Sequence, residues 1–273
     1  MLNEKKGNVV VLAGNNGNKA AFISKSLEAG FNVLADKPMA IDAAGFAALE
    51  KDFAKAADQQ LLLYDIMTER FEITNILQRL LVANTDIFGQ LKQGTAEQPA
   101  ISSESVHYLY KYVSGKVLVR PAWFFDVNQQ GEAIADVGTH LVDLNQWICF
   151  PAQQLNYRND IKVVTASHWP TMVSARQFHT ITQEENFPAS LKPLVQKDSL
   201  MPYYCNGNFT YTIKNIYAGV TVRWDYQSEH NSGDIYHSLI KGTKANLEIK
   251  QGPEEQYKPV LYITPLKEDT LFT

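Results

Sequence analysis

The chain of 273 residues predicts two architectures in succession: an α/β half on a short parallel sheet, then an α+β half on an open, largely antiparallel sheet. Three observations predict this. Up to about Tyr64, short β-branched runs alternate with helical segments in the order β-α-β-α-β, which is half of a doubly wound sheet. Beyond Arg70 the strands alternate apolar with polar residues and are separated by Gly and Asn turn signals. With 45% hydrophobic and 20% charged residues, the composition is that of a globular chain long enough to bury a full core.

Val9-Val10-Val11-Leu12-Ala13 is a continuous apolar run, the mark of a parallel strand covered on both faces. Gly14-Asn15-Asn16-Gly17 reads as a turn, and Lys19 to Ala29 as a helix closed by Gly30 at the C-cap position. Asn32 to Ala35 is a second strand, Ala43 to Ala57 a second helix and Leu61 to Tyr64 a third strand. Phe71 to Val82 is an amphipathic helix, and Ala100 to Tyr112 an aromatic-rich strand. Phe150 to Lys197, with Pro151, Pro170, Pro188 and Pro193, reads as irregular with two short helices. Phe209 to Ile213, Val220 to Tyr226 and Tyr236 to Ile240 are alternating strands, with Asn206-Gly207 and Ser232-Gly233 as turns. Val260 to Ile263 is a last strand before a polar tail.

Between these lies the run Asp136-Val137-Gly138-Thr139-His140, which reads as a loop entering a helix capped by Thr139, with Leu141, Leu144, Trp147 and Ile148 at helical spacing. Asp136 and His140 are four apart, so a carboxylate and an imidazole emerge from one end of the element and can face one small molecule. An imidazole with a pKa of about 6.5 suits removal of a hydroxyl proton while the carbon is oxidised. The ordinary alternative is a capping Asp and a structural His.

The net charge of −4 is interspersed, leaving no basic footprint for nucleic acid or an anionic membrane. Cys149 and Cys205 are too few for a disulfide framework, and His107, His140, His168 and His237 show no metal-ligand spacing. No stretch approaches the roughly 20 apolar residues of a membrane span. Lys5 and Lys6 precede a turn-bounded strand and no signal-type apolar region. The expectation is a soluble, cytoplasmic protein, with an export signal upstream left open.

Asn16 in its turn, Glu28-Ala29-Gly30, Asp36-Lys37-Pro38, Arg70-Phe71, the positions Asp136, Gly138, His140 and Asp143, and Gly242-Thr243-Lys244 stand in the order of motifs of a known family. Over about residues 8 to 250 the chain resembles the glucose-fructose oxidoreductase and inositol dehydrogenase (Gfo/Idh/MocA) family. Lys19 stands where that family carries His, and Asp36 where it carries Glu. The resemblance implies that Val9 to Pro38 is the later part of a Rossmann domain, with the glycine fingerprint and the ribose acid before Met1. Gly14-x-x-Gly17 has the wrong spacing for that fingerprint. Residues 1–69 are then a partial dinucleotide-binding domain, and residues 70–273 an α+β substrate and oligomerisation domain with helices on one sheet face and a partner subunit on the other.

The same resemblance implies an oxidoreductase that uses NAD or NADP on a sugar, cyclitol or related polyol, with an incomplete cofactor site formed by Asn16, Asp36, Lys37 and Pro38. Lys37 would orient and polarise the reacting carbinol, His140 would accept its proton, and Asp136 would hold a substrate hydroxyl or the imidazole. His168 and Trp169, in the irregular region, are expected to line a sugar pocket. Two alternatives accompany this expectation: a glycoside-cleaving enzyme of the same family that retains its cofactor, and a non-catalytic sugar- or protein-binding module.

Overall fold

The computed structural model describes residues 7–228 and 232–266; Lys5, Lys6 and the end of the polar tail lie outside the described residues. Three strands, β1 (Val9–Leu12), β2 (Asn32–Asp36) and β3 (Leu63–Ile66), form a parallel sheet in that order. Helices α1 (Lys19–Glu28) and α2 (Ala43–Asp58) make the crossovers. Gly30, at φ 72°, ends α1 in the left-handed region, and the Asp42 side chain caps α2 by accepting from Gly45 N. Ile23, Leu27, Val33, Ala35, Leu49 and Ala56 form the core of this unit. β1 is an edge strand with Val9 and Val11 47% and 63% exposed, so its apolar run is not covered on both faces as the sequence predicts. Four apolar residues in a row do not distinguish a central strand from an edge one.

A 3₁₀ turn (Thr68–Phe71) leads into α3 (Ile73–Ala83) and then β4 (Ile101–Tyr110). The small hairpin β5 (Tyr112–Val113) and β6 (Lys116–Val117) precedes α4 (Val127–Gln130), α5 (Ala133–Cys149) and α6 (Tyr157–Asp160). The chain continues as β7 (Ile161–Ser174), α7 (Ala175–Thr182), β8 (Leu200–Ile213), β9 (Ile216–Gln227), β10 (Ile235–Lys241), β11 (Ala245–Gln251) and β12 (Val260–Pro265). The seven-stranded sheet runs β12-β11-β10-β4-β9-β8-β7, antiparallel throughout except for the parallel pair β4–β9. α5 lies across β4, β8 and β9, and its Leu141, Leu144 and Ile148 enter the large core with Phe125, Tyr203, Tyr211 and Trp224.

Three sequence expectations change. α5 begins at Ala133, six residues before Thr139. Thr139 is therefore inside the helix, its hydroxyl donating to the Ala135 carbonyl, and is not the N-cap. The preceding Gly131, at φ 84°, is where the chain turns into the helix. The stretch after Phe150 contains the fourteen-residue strand β7, hidden because an edge strand exposed along most of its length has no apolar alternation. Pro170 is tolerated there because the register shifts between Trp169 and Pro170. Asn206-Gly207 is not a turn but lies inside β8, where the buried Asn206 amide donates to the Trp169 carbonyl and its oxygen accepts from Trp224 N. A Cβ on Gly207 would stand 3.0 Å from Ile134, so this glycine admits the start of α5 against the sheet.

Candidate active site

Lys37 follows β2 at the carboxyl end of the parallel strands, the edge at which open α/β sheets bind ligands. Asp136 and His140 lie one turn apart on α5, and Asp143 continues the same face. The Lys37 ammonium pairs with the Asp136 carboxylate and also donates to the Asp136 carbonyl at 3.2 Å. One turn further, Arg70 grips Asp143 with two bonds, Nε to Oδ2 at 2.8 Å and Nη2 to Oδ1. The 136/140/143 face of α5 is thus latched at both ends by cations from the segment that follows β2 and β3. Asp136 holds Lys37, and the imidazole is left unattached: His140 Nδ1 is buried without a hydrogen-bond partner.

Lys19 supports the site from beneath. It is 2% exposed, and its Nζ donates to Asn16 Oδ1 at 2.7 Å and to the Asp36 carbonyl at 2.8 Å, fixing the residue before Lys37. Burial pushes its pKa down. Asn16 is 4% exposed, with its amide spent on the Gln130 carbonyl and side chain, so it ties the β1–α1 loop to α4. The Lys37–Pro38 bond is cis.

Two cavities meet at Lys37 and Asp136. The larger, about 380 Å³, is also lined by His140, Ser105, His107, Lys111, Trp224 and Asp234. The smaller, about 250 Å³, is lined by Asn16, Asp36, Arg120 and Trp123 together with the same ion pair. Pro38 lines neither. Arg120 is buried, donating to the Leu109 and Tyr108 carbonyls and lying over the Phe124 and Trp224 rings, and it braces the wall between the cavities.

His168 and Trp169 lie elsewhere. His168 sits on β7 with its side chain 57% exposed, pairs with Glu132 at 2.8 Å and packs on Tyr204. Neither residue lines either cavity, because the edge strand carries them past the far end of the sheet. Ser105, His107, Lys111, Arg120 and Asp234 do line these cavities, and the sequence reading assigned them no place there. Among the described residues no cluster of three metal-capable side chains occurs, and no helix is long and apolar enough to cross a membrane.

Burial pushes the His140 pKa down to about 4, and the Lys37 ammonium adds to this against the opposing pull of Asp136 and Asp143. The imidazole is therefore neutral at pH 7. The unfolded chain takes up this proton near pH 6.5 and the folded one only near 4, so stability falls as pH drops through that window, by on the order of 2–3 kcal/mol. Urea denaturation at pH 7 and at pH 4.5 checks the sign. Wild type is expected to lose more stability than His140→Gln, and equal losses would contradict a neutral buried imidazole.

Residues 77–272 match the family described as "Putative oxidoreductase C terminal domain". The chain belongs to that family. No curated protein matches it. Among solved structures it is similar to a putative oxidoreductase from Parabacteroides merdae, with 49% identity and a TM-score of 0.94 over 100% of this chain and 62% of that one. The chain thus spans 62% of that protein's length. A putative oxidoreductase from Erwinia carotovora shares the fold at 16% identity and TM-score 0.69, over 97% of this chain and 66% of that one. So does levoglucosan dehydrogenase in complex with NADH and levoglucosan, at 13% identity and TM-score 0.64, over 98% of this chain and 60% of that one.

Proposed function

We propose that this chain carries the reacting centre of a nicotinamide-dependent oxidoreductase that oxidises a carbinol of a sugar, cyclitol or related polyol, within the Gfo/Idh/MocA family. The observation that carries this is the Lys37–Asp136 pair standing in the shared wall of two cavities, with the neutral His140 in the larger one. The motif order of the sequence and the fold shared with levoglucosan dehydrogenase support the same reading.

The smaller cavity opens at the carboxyl ends of β1 and β2, and Asp36, Lys37 and Trp123 in its walls fit the nicotinamide end of a cofactor. Asn16 holds the floor through Lys19 and Gln130. NAD or NADP bound there supplies the hydride acceptor. Lys37 points a fixed positive charge at the carbinol oxygen and stabilises the negative charge that grows on it. Asp136 keeps the ammonium in place, and the neutral His140 imidazole, which lines the larger cavity, takes the hydroxyl proton. The division at residue 69 belongs to this proposal: residues 1–69 present the lysine and the cofactor side, and residues 70–273 close the substrate side. The two separate hydrophobic clusters support it. Assembly as a homo-oligomer through the sheet face opposite α5 belongs to it as well.

Incubation with NAD⁺ or NADP⁺ and a panel of neutral polyols, followed by the absorbance of the reduced nicotinamide, tests the proposal. Polyol-dependent reduction is expected. A complete absence of reduction, with polyol and nucleotide both bound, would overturn it.

A further inference from the structure

Lys19 is a buried cation whose charge the proton and hydride transfers above leave unused. Its Nζ donates to Asn16 Oδ1 at 2.7 Å and to the Asp36 carbonyl at 2.8 Å, and both acceptors are neutral oxygens. Among the described residues no carboxylate stands in ion-pair contact with it, whereas the Lys37 ammonium has Asp136. Burial is the largest influence on the Lys19 pKa and lowers it, while Asp36 and Asp136 act in the opposite sense from beyond contact. An ammonium held on neutral partners in a 2% exposed position costs free energy that a neutral side chain of the same length would not. Fixing the Asp36 carbonyl needs a donor and not a charge, so the charge itself calls for a use.

That charge lies directly behind the smaller cavity. Asn16 and Asp36, which supply its two acceptors, stand in the cavity wall, and Lys19 does not. A ligand atom touching those acceptors would lie roughly 6 Å from Nζ, one hydrogen bond and one van der Waals contact away. The charged side chains of the wall cancel, Asp36 and Asp136 against Lys37 and Arg120, so Lys19 leaves this side of the site with a net positive charge. The larger cavity has the opposite balance, with Glu69, Glu72, Asp136 and Asp234 against Lys37 and Lys111. The Lys37–Asp136 pair belongs to both walls, so the potential falls across it from the smaller cavity to the larger.

On the oxidoreductase reading, on which this inference rests, the carbinol C–H bond breaks and its electron pair leaves with the hydrogen as hydride. The nicotinamide ring accepts that hydride and goes from a cation to a neutral ring, while the hydroxyl proton goes to His140. A fixed positive charge behind the ring opposes the cation and leaves the neutral form alone. At about 6 Å and an effective dielectric constant of about 20, one unit charge changes the preference between the two forms by about tenfold or more.

We propose that Lys19 poises this site for oxidation of its substrate, by disfavouring oxidised relative to reduced nicotinamide in the smaller cavity. It touches neither ligand and acts through its field.

Calorimetric titration of the chain with NAD⁺ and with NADH, in wild type, Lys19→Met and Asn16→Asp, tests the inference, with thermal melts to establish folding. Lys19→Met removes the charge and keeps the length of the side chain. Asn16→Asp keeps the lysine and sets a carboxylate against it, so it decides the matter even where Lys19→Met does not fold. Wild type is expected to bind NADH about tenfold or more tighter than NAD⁺, and that ratio is expected to fall by about tenfold in either variant. Equal or inverted wild-type affinities would overturn the inference. So would a folded variant that keeps the wild-type ratio, including one that weakens both nucleotides equally, because Lys19 is then a structural strut alone and the oxidoreductase reading stands. No binding of either nucleotide to wild type overturns both. A ratio that falls as expected, with no polyol-dependent reduction by wild type, removes the polyol reading alone.

Discussion

Replacement of His140 by Asn, or of Lys37 by Met, is expected to lower kcat for polyol oxidation by about 10²–10⁴-fold with little effect on folding. Both side chains line the cavity and neither belongs to the hydrophobic core, to which α5 contributes Val137, Leu141, Leu144, Ile148 and Cys149. His140→Asn removes the neutral imidazole from the helix face turned to Lys37. Lys37→Met removes the charge that polarises the oxygen, and it also leaves Asp136 as an unpaired carboxylate in a half-buried site. The Lys37 variant should therefore raise KM as well as lower kcat, whereas His140→Asn should act mainly on kcat. The double variant should lose little more than the worse single one, because the two groups act on one hydroxyl. Additive losses would mean that they serve separate steps. Steady-state kinetics with thermal melts of each variant separate these outcomes from simple unfolding.

Gly242→Ala is expected to destabilise the fold by about 3 kcal/mol, and more if the backbone cannot yield. A Cβ at this position would stand 2.3 Å from the Phe88 carbonyl oxygen and 2.6 Å from its ring. The contact cannot be relieved by a rotamer change, because Phe88 is buried and its carbonyl accepts from Lys244 N at 3.1 Å. Thr243 N donates to the Gln90 carbonyl at 2.9 Å, and Gln90 N donates back to Thr243 Oγ1 at 3.0 Å. The turn between β10 and β11 is thus stitched to the loop after α3, which explains a glycine followed by a threonine there. Gly7→Ala meets nothing within 4 Å and serves as the control in urea denaturation. Equal midpoints for the two variants would refute the clash.

The parallel strands, the helices between them and the shared helix face of Asp136 and His140 were legible because each depends on short-range pattern, whereas Lys37 is singled out only by the family resemblance. Two residues four apart on a helix share a face wherever its cap falls, so the site face survived the misplaced start of α5. That Lys37 meets Asp136, 99 residues away, and that Arg70 meets Asp143, needed the tertiary structure. The wall of the larger cavity that Asp234 lines was not legible for the same reason. Ser105 and His107 come from β4, Trp224 from β9 and Asp234 from the residue before β10, and they meet only through the β9-β4-β10 pairing. His168 and Trp169 misled because an aromatic cluster in a proline-rich stretch resembles a binding loop, whereas β7 is an edge strand in which such side chains point to solvent or to Tyr204. Lys19 has a polar name and a buried place, justified by two oxygen acceptors that no local pattern announces.

Titration of the chain with NADH and with reduced nicotinamide mononucleotide, the part of the cofactor these residues would face, tests the placement of the reacting centre most directly. If Lys37 lies between nicotinamide and polyol, both nucleotides bind and Lys37→Met weakens both at least tenfold. Binding that ignores Lys37→Met, or no binding of either nucleotide, contradicts that placement.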